Sequence, residues 1–294
     1  MIKNLTLKLI IFCFCIGLGL LAGCEKSSNP PKTTVLVSIP PYRYFVERIA
    51  GPDLVVQTIV PPGANPHLFE PSPKQAALLS DARLWLSIGE SFEKKIKQVL
   101  KEQNPRLKIV DMKKGIPLLQ SHEETCVHCS KHEEAKDLHI WLSPKLAQTQ
   151  AKNIAACLIE LFPENKEMYE KNVHDFLIDL DKLDHEIGEL LEPMKNKAIL
   201  VSHPAFGYLC NDYHLIQLSV ESEGKDPLPQ QIAQTLKLAK EFQVKNVLLQ
   251  PQYNNKGAEM IAEMLKLPVF MLDPYSSDYI VNLRTIAAVI AASQ

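Results

Sequence analysis

The sequence predicts an α/β fold of two lobes, each a small, mostly parallel sheet flanked by helices, with one long rigid helix joining them. Three observations carry this. Short apolar runs alternate with helical patterns from Val35 onward, the same plan recurs in the second half of the chain, and an amphipathic stretch of about thirty residues separates the halves.

In chain order, "MIKNLTLKLIIFCFCIGLGLLAGC" comes first. Lys3 and Lys8 supply positive charge, Leu9 to Leu21 an apolar run short for a membrane span, and Leu21-Ala22-Gly23 a small-residue site before a cysteine. The alternative is a transmembrane anchor. The expectation is a lipoprotein signal peptide over 1–23, cleaved before Cys24, whose thiol takes the lipid. Residues 24–34 read as a polar tether. The first lobe, 35–163, has strands in "VLVSI", "LVVQTI", "RLWLSI" and "KIV", with helices over Tyr42–Ile49, Pro73–Leu79 and Ser91–Glu102. Pro144–Leu161 reads as a helix with proline in its first turn. Glu164–Glu192 is the linking helix (domain 164–193), apolar at Phe176, Leu177, Leu180, Leu183, Ile187 and Leu190. The second lobe, 194–294, repeats the plan with "AILVS", "HLIQLSV", "NVLLQ" and "PVFML", and with helices near Gln230–Phe242, Lys256–Leu265 and Asp278–Ala292.

The formal net charge of -2 becomes -4 once Lys3 and Lys8 leave, which argues against nucleic acid and against a polybasic membrane patch. Cys157 and Cys210 sit among apolar neighbours and read as buried thiols.

The candidate chemistry lies at strand ends. "VPPGANPHLFEP" braces His67 with prolines on a loop that is neither helix nor strand. His203 follows "AILVS", Asp273 follows "PVFML", and His139 sits in "DLHIWLSP" before a helix. In parallel α/β sheets, ligands bind outside the carboxyl ends of strands. Two of them also have plainer readings, His67 as a solvated imidazole and His139 as a ring packed near Trp141. Three imidazoles and a carboxylate suit zinc, with manganese or ferrous iron possible.

The pieces "PPGANPHLFEPSP", "DLHIWLSP", "VSHPAFGYLCNDYHL" and "LDPYSSDY", in that order, resemble the metal-binding receptors of bacterial ABC importers, those built on a helical backbone and specific for zinc or manganese. The similarity spans Val35 to Ala292. It implies His67, His139, His203 and Asp273 as metal ligands, and a histidine at 203, where manganese receptors usually carry glutamate, tilts the choice to zinc. It further implies a monomer outside the cytoplasm, in the periplasm or at the cell surface, served by a membrane permease and its ATPase. Glu70 is expected not to ligate, but to support the ligands or fix the loop. The loop "SHEETCVHCSKHEEAKD" offers His122, His128, His132, Cys126 and Cys129 as a weaker second site, or as a solvated loop or a short disulfide. Leu138, "GKDPLP" and Gln250 depart from the family pattern, which bears on what surrounds the ligands. A lipid-anchored zinc hydrolase is the rival, but neither an "HExxH" element nor a serine elbow occurs.

Overall fold

The computed structural model describes residues 33–72, 75, 79–120, 136–221 and 227–292. The signal segment, Cys24, most of the tether, most of the helix expected over Pro73–Leu79, and the loop carrying His122, Cys126, His128, Cys129 and His132 lie outside the described residues.

Two parallel four-stranded sheets are built on one topology. The first holds β1 (Thr34–Val37), β2 (Val55–Thr58), β3 (Leu84–Ser87) and β4 (Lys108–Asp111), in the order β2-β1-β3-β4. The second holds β5 (Ala198–Val201), β6 (Ile216–Ser219), β7 (Val247–Leu249) and β8 (Val269–Met271), in the order β6-β5-β7-β8. Inner strands β3, β5 and β7 are buried at every residue, as strands covered on both faces should be. Their near-continuous apolar runs have this physical cause.

Helix α1 (Pro40–Ala50) opens on Pro40-Pro41, where the missing N–H is no loss, and buries Tyr42, Phe45, Val46 and Ile49 at three- and four-residue spacing. Helix α2 is Ser91–Gln103, and α3 is Pro144–Leu161, capped by Ser143, whose Oγ accepts from the Leu146 N–H at 3.1 Å. Helix α4 (Lys166–Leu191) runs 26 residues, about 39 Å at 1.5 Å per residue, and buries Tyr169, Phe176, Leu180, Leu183, Ile187 and Leu191. The second lobe adds α5 (Gly207–Tyr213), α6 (Pro229–Glu241), α7 (Lys256–Leu265) and α8 (Tyr279–Ala291). No helix among the described residues is long and apolar enough to cross a membrane.

The main core is continuous between the lobes. It starts at Val35, passes along α4, and takes in Ile199, Val201 and Leu248 from one face of the second sheet; Leu200, Leu218, Val247 and Leu249 on the other face form a smaller core with α6 and α7. Helix α8 turns back on α4, and Tyr279 meets Phe45 edge-on at 4.7 Å while its hydroxyl donates to the Trp141 carbonyl at 2.6 Å. Packing therefore places the last helix with the first lobe. Cys157 and Cys210 are free, buried thiols, and burial pushes both pKa values up.

Candidate metal centre

Both sheets send their carboxyl ends to one place. His67 arrives from the loop after β2, its N–H held by Asn65 Oδ1 at 2.9 Å. His139 precedes the short turn Ile140–Leu142, its N–H held by Asp137 Oδ1 at 2.9 Å. His203 follows β5, and the Gln250 amide clasps its backbone from both sides, Oε1 accepting from the His203 N–H at 2.9 Å and Nε2 donating to its carbonyl at 2.7 Å. A carboxylate could not make the second of these bonds, which explains an amide at position 250.

The three rings converge although 136 residues separate the first from the last. His67 Nε2 lies 3.2 Å from His203 Nε2, and His203 Nε2 lies 3.3 Å from His139 Nε2. Among the described residues these are the His, Cys, Asp or Glu groups whose ligand atoms lie within 4.8 Å of one another. Each ring turns its other nitrogen to a carboxylate: His67 Nδ1 to Glu90 at 3.2 Å, His139 Nδ1 to Asp137 at 2.8 Å, and His203 Nδ1 to Glu221 at 2.9 Å. An ionised carboxylate only accepts, so each Nδ1 carries the proton and each Nε2 presents a lone pair. Three lone pairs at contact distance repel one another unless a cation lies among them. Tetrahedral ligation with Zn–N near 2.0–2.1 Å spaces two nitrogens by about 3.3 Å, which these distances match.

Local features hold the carboxylates in place. Glu93 accepts from the Ile88 and Gly89 N–H groups at 2.8 and 2.9 Å, fixing the turn that carries Glu90. Gly89 has φ 102°, and a Cβ there would lie 2.4 Å from Lys113 Nζ. Gly207, at the start of α5, lets that helix approach Asp137, because a Cβ would come within 2.5 Å of Asp137 Oδ2. Burial works to raise the Glu90 carboxyl, but the His67 hydrogen bond and the nearby imidazoles bring it below its ordinary value. Burial, then the facing His139 and His67 rings, hold His203 well below 6.5. Tyr253 stacks on His203 at 3.8 Å and 8°, and Trp141 lies 5.2 Å from His139.

Asp273 lies outside the mutually close set. Its Oδ1 accepts from the Tyr275 N–H at 2.8 Å and from Gln252 Nε2 at 2.6 Å. Glu70 is exposed and pairs with Lys95 at 2.8 Å, and the carboxylate on the His67 ring is that of Glu90. Sequence reasoning missed Glu90, Glu221 and Asp137. The signal was available, since Glu90 and Glu221 follow β3 and β6 by the same strand-end rule that selected the histidines. Glu221→Gln and Asp137→Asn are each expected to weaken zinc binding about 10- to 100-fold in competition with a chromophoric chelator. Unchanged affinity would deny these carboxylates any part in orienting the rings.

Twin parallel sheets joined by one long helix, with their carboxyl ends facing a shared cluster, define a class, the two-lobed solute-binding proteins. The chain belongs to the family of the periplasmic zinc-uptake complex component A, ZnuA, whose pattern matches residues 35–293. It is 31% identical over 257 residues to the high-affinity zinc uptake system protein ZnuA of Bacillus subtilis (strain 168), covering 83% of this chain and 81% of that one. It is 30% identical over 284 residues to a putative metal-binding protein of Chlamydia trachomatis serovar D, covering 96% and 98%. A crystal structure of ZnuA superposes with a TM-score of 0.81 at 37% identity, covering 89% of this chain and 98% of that one.

Proposed function

We propose that this protein is the zinc-binding receptor of an ABC importer, taking the ion as cargo on His67, His139 and His203, with Asp273 as the fourth donor. The observation that carries the reading is the set of Nε2 atoms 3.2 and 3.3 Å apart, each backed by a carboxylate on Nδ1. Nitrogen donors of this kind favour zinc over manganese, which prefers oxygen. Residues 35–163, with the last helix α8 packed against them, and the sheet-bearing remainder of 194–294 act as the two jaws, with 164–193 as the stiff bar between them. His67 and His139 belong to the first jaw, His203 and Asp273 to the second, so one ion bridges both. Family membership supports a place outside the cytoplasm and a permease and ATPase as partners. A lipid on Cys24 would keep the receptor at the membrane, which fatty-acid labelling of the wild type and Cys24→Ser reads directly.

Titration of metal-stripped protein with zinc and with manganese against a competing chelator tests the reading. One zinc per chain, not displaced by equimolar manganese, is expected; preference for manganese, or no tight zinc, overturns it. The same titration repeated at falling pH should show affinity declining, because protons compete for imidazoles that must be neutral to bind. His203 is held well below 6.5, so it stays neutral where a free imidazole would charge. The decline is therefore expected on the acid side of the range in which a free imidazole titrates. Flat affinity down to about pH 5 would contradict histidine ligation.

A further inference from the structure

Beside the three imidazoles lies a fourth polar group. The Tyr275 hydroxyl is 3.3 Å from His139 Nε2, and the Tyr253 hydroxyl is 2.7 Å from that of Tyr275. Proton positions follow from the partners. His139 Nδ1 donates to Asp137, so its Nε2 only accepts, Tyr275 must donate to it, and Tyr253 donates in turn to the Tyr275 oxygen. The lone pair that this phenol engages is the one a bound ion needs.

Resting on the zinc reading above, we propose that Tyr275 is a gate on the metal site: its hydroxyl competes with an arriving cation for the His139 Nε2 lone pair and gives it up when the ion binds, the fourth corner falling to Asp273. The two residues share one turn, because the Tyr275 N–H binds Asp273 Oδ1. The backbone of that turn is pinned at both ends of Pro274. Trp141 Nε1 donates to the Pro274 carbonyl at 2.8 Å and Asn282 Nδ2 to that of Asp273 at 2.7 Å. The backbone therefore stays in place, and loading breaks one hydrogen bond, that from the Tyr275 hydroxyl to His139 Nε2, with no covalent change. A hydroxyl that engages this lone pair opposes loading by the free energy of that hydrogen bond.

Stopped-flow mixing of metal-stripped wild type and Tyr275→Phe with zinc, alongside equilibrium chelator competition, tests this. Tyr275→Phe should load several times faster and bind about three- to tenfold tighter, the scale of one hydrogen bond no longer competing. Zinc should also elicit a tyrosine ultraviolet difference band in wild type that Tyr275→Phe largely lacks, a signal that mere packing by the ring would not give. Tyr253→Phe, which keeps the stack on His203 but removes the donor to Tyr275, should shift loading in the same direction by less. Weaker binding by Tyr275→Phe would make the phenol a ligand and overturn the gate, and so would unchanged loading and affinity. Failure of wild type to bind zinc would instead overturn the zinc reading itself.

Discussion

His203→Ala is expected to lower zinc affinity by roughly a hundred- to a thousandfold. A protein zinc site is worth about 10–16 kcal/mol, and an equal share among four donors is about 2.5–4 kcal/mol each. At about 1.4 kcal/mol per tenfold, that share sets the range. His203 should stand at its upper end. Its Nε2 touches both neighbouring rings, its relative exposure is 2%, and its removal strips Glu221 Oε1 of an imidazole partner and Tyr253 of the ring it stacks on. His67 is partly exposed, so water can take its place more readily and His67→Ala should cost less. Chelator competition on the purified variants gives the ranking. An affinity for His203→Ala equal to wild type would remove that residue from the site.

Phe45→Ala should cost about 3–5 kcal/mol of folding stability, the usual loss for a buried phenylalanine truncated to alanine. Phe45 is fully buried and meets Tyr42 at 5.5 Å, Phe176 of α4 at 5.2 Å and Tyr279 of α8 at 4.7 Å, all near edge-on. One ring thus links a first-lobe helix, the joining helix and the last helix. Guanidinium unfolding of metal-stripped protein measures the loss; stripping matters because any ligand that binds only the folded state adds stability of its own. A change below about 1 kcal/mol would mean that the aromatic junction does not hold these helices together.

Much of this architecture was legible beforehand for identifiable reasons. "RLWLSI" and "AILVS" announce inner strands because residues covered on both faces must be apolar without alternation. Pro144–Leu161 was legible to the residue, since Ser143-Pro144 is a cap followed by a proline that suits a first turn. Helix α5 was not foreseen: Gly207, Tyr208, Leu209, Cys210 and Tyr213 are all buried, so no polar face gives it a period. For the site, the histidines stood out as residue types rare on strand-end loops. Their partners did not, because a glutamate 23 residues from His67 and another 18 from His203 look like ordinary surface charge until the sheets bring them together. Tyr275 was hidden differently, as an aromatic residue that reads as core unless its hydroxyl can be placed.

The shared core also sets an order of events during synthesis. Ile199, Val201 and Leu248 are needed to finish the interior that begins at Val35, and Tyr279 is needed to close on Phe45. The amino-terminal portion thus leaves the ribosome before the segments that complete its interior have been made. For the same reason a cut at the joining helix would leave part of that shared interior exposed on each fragment.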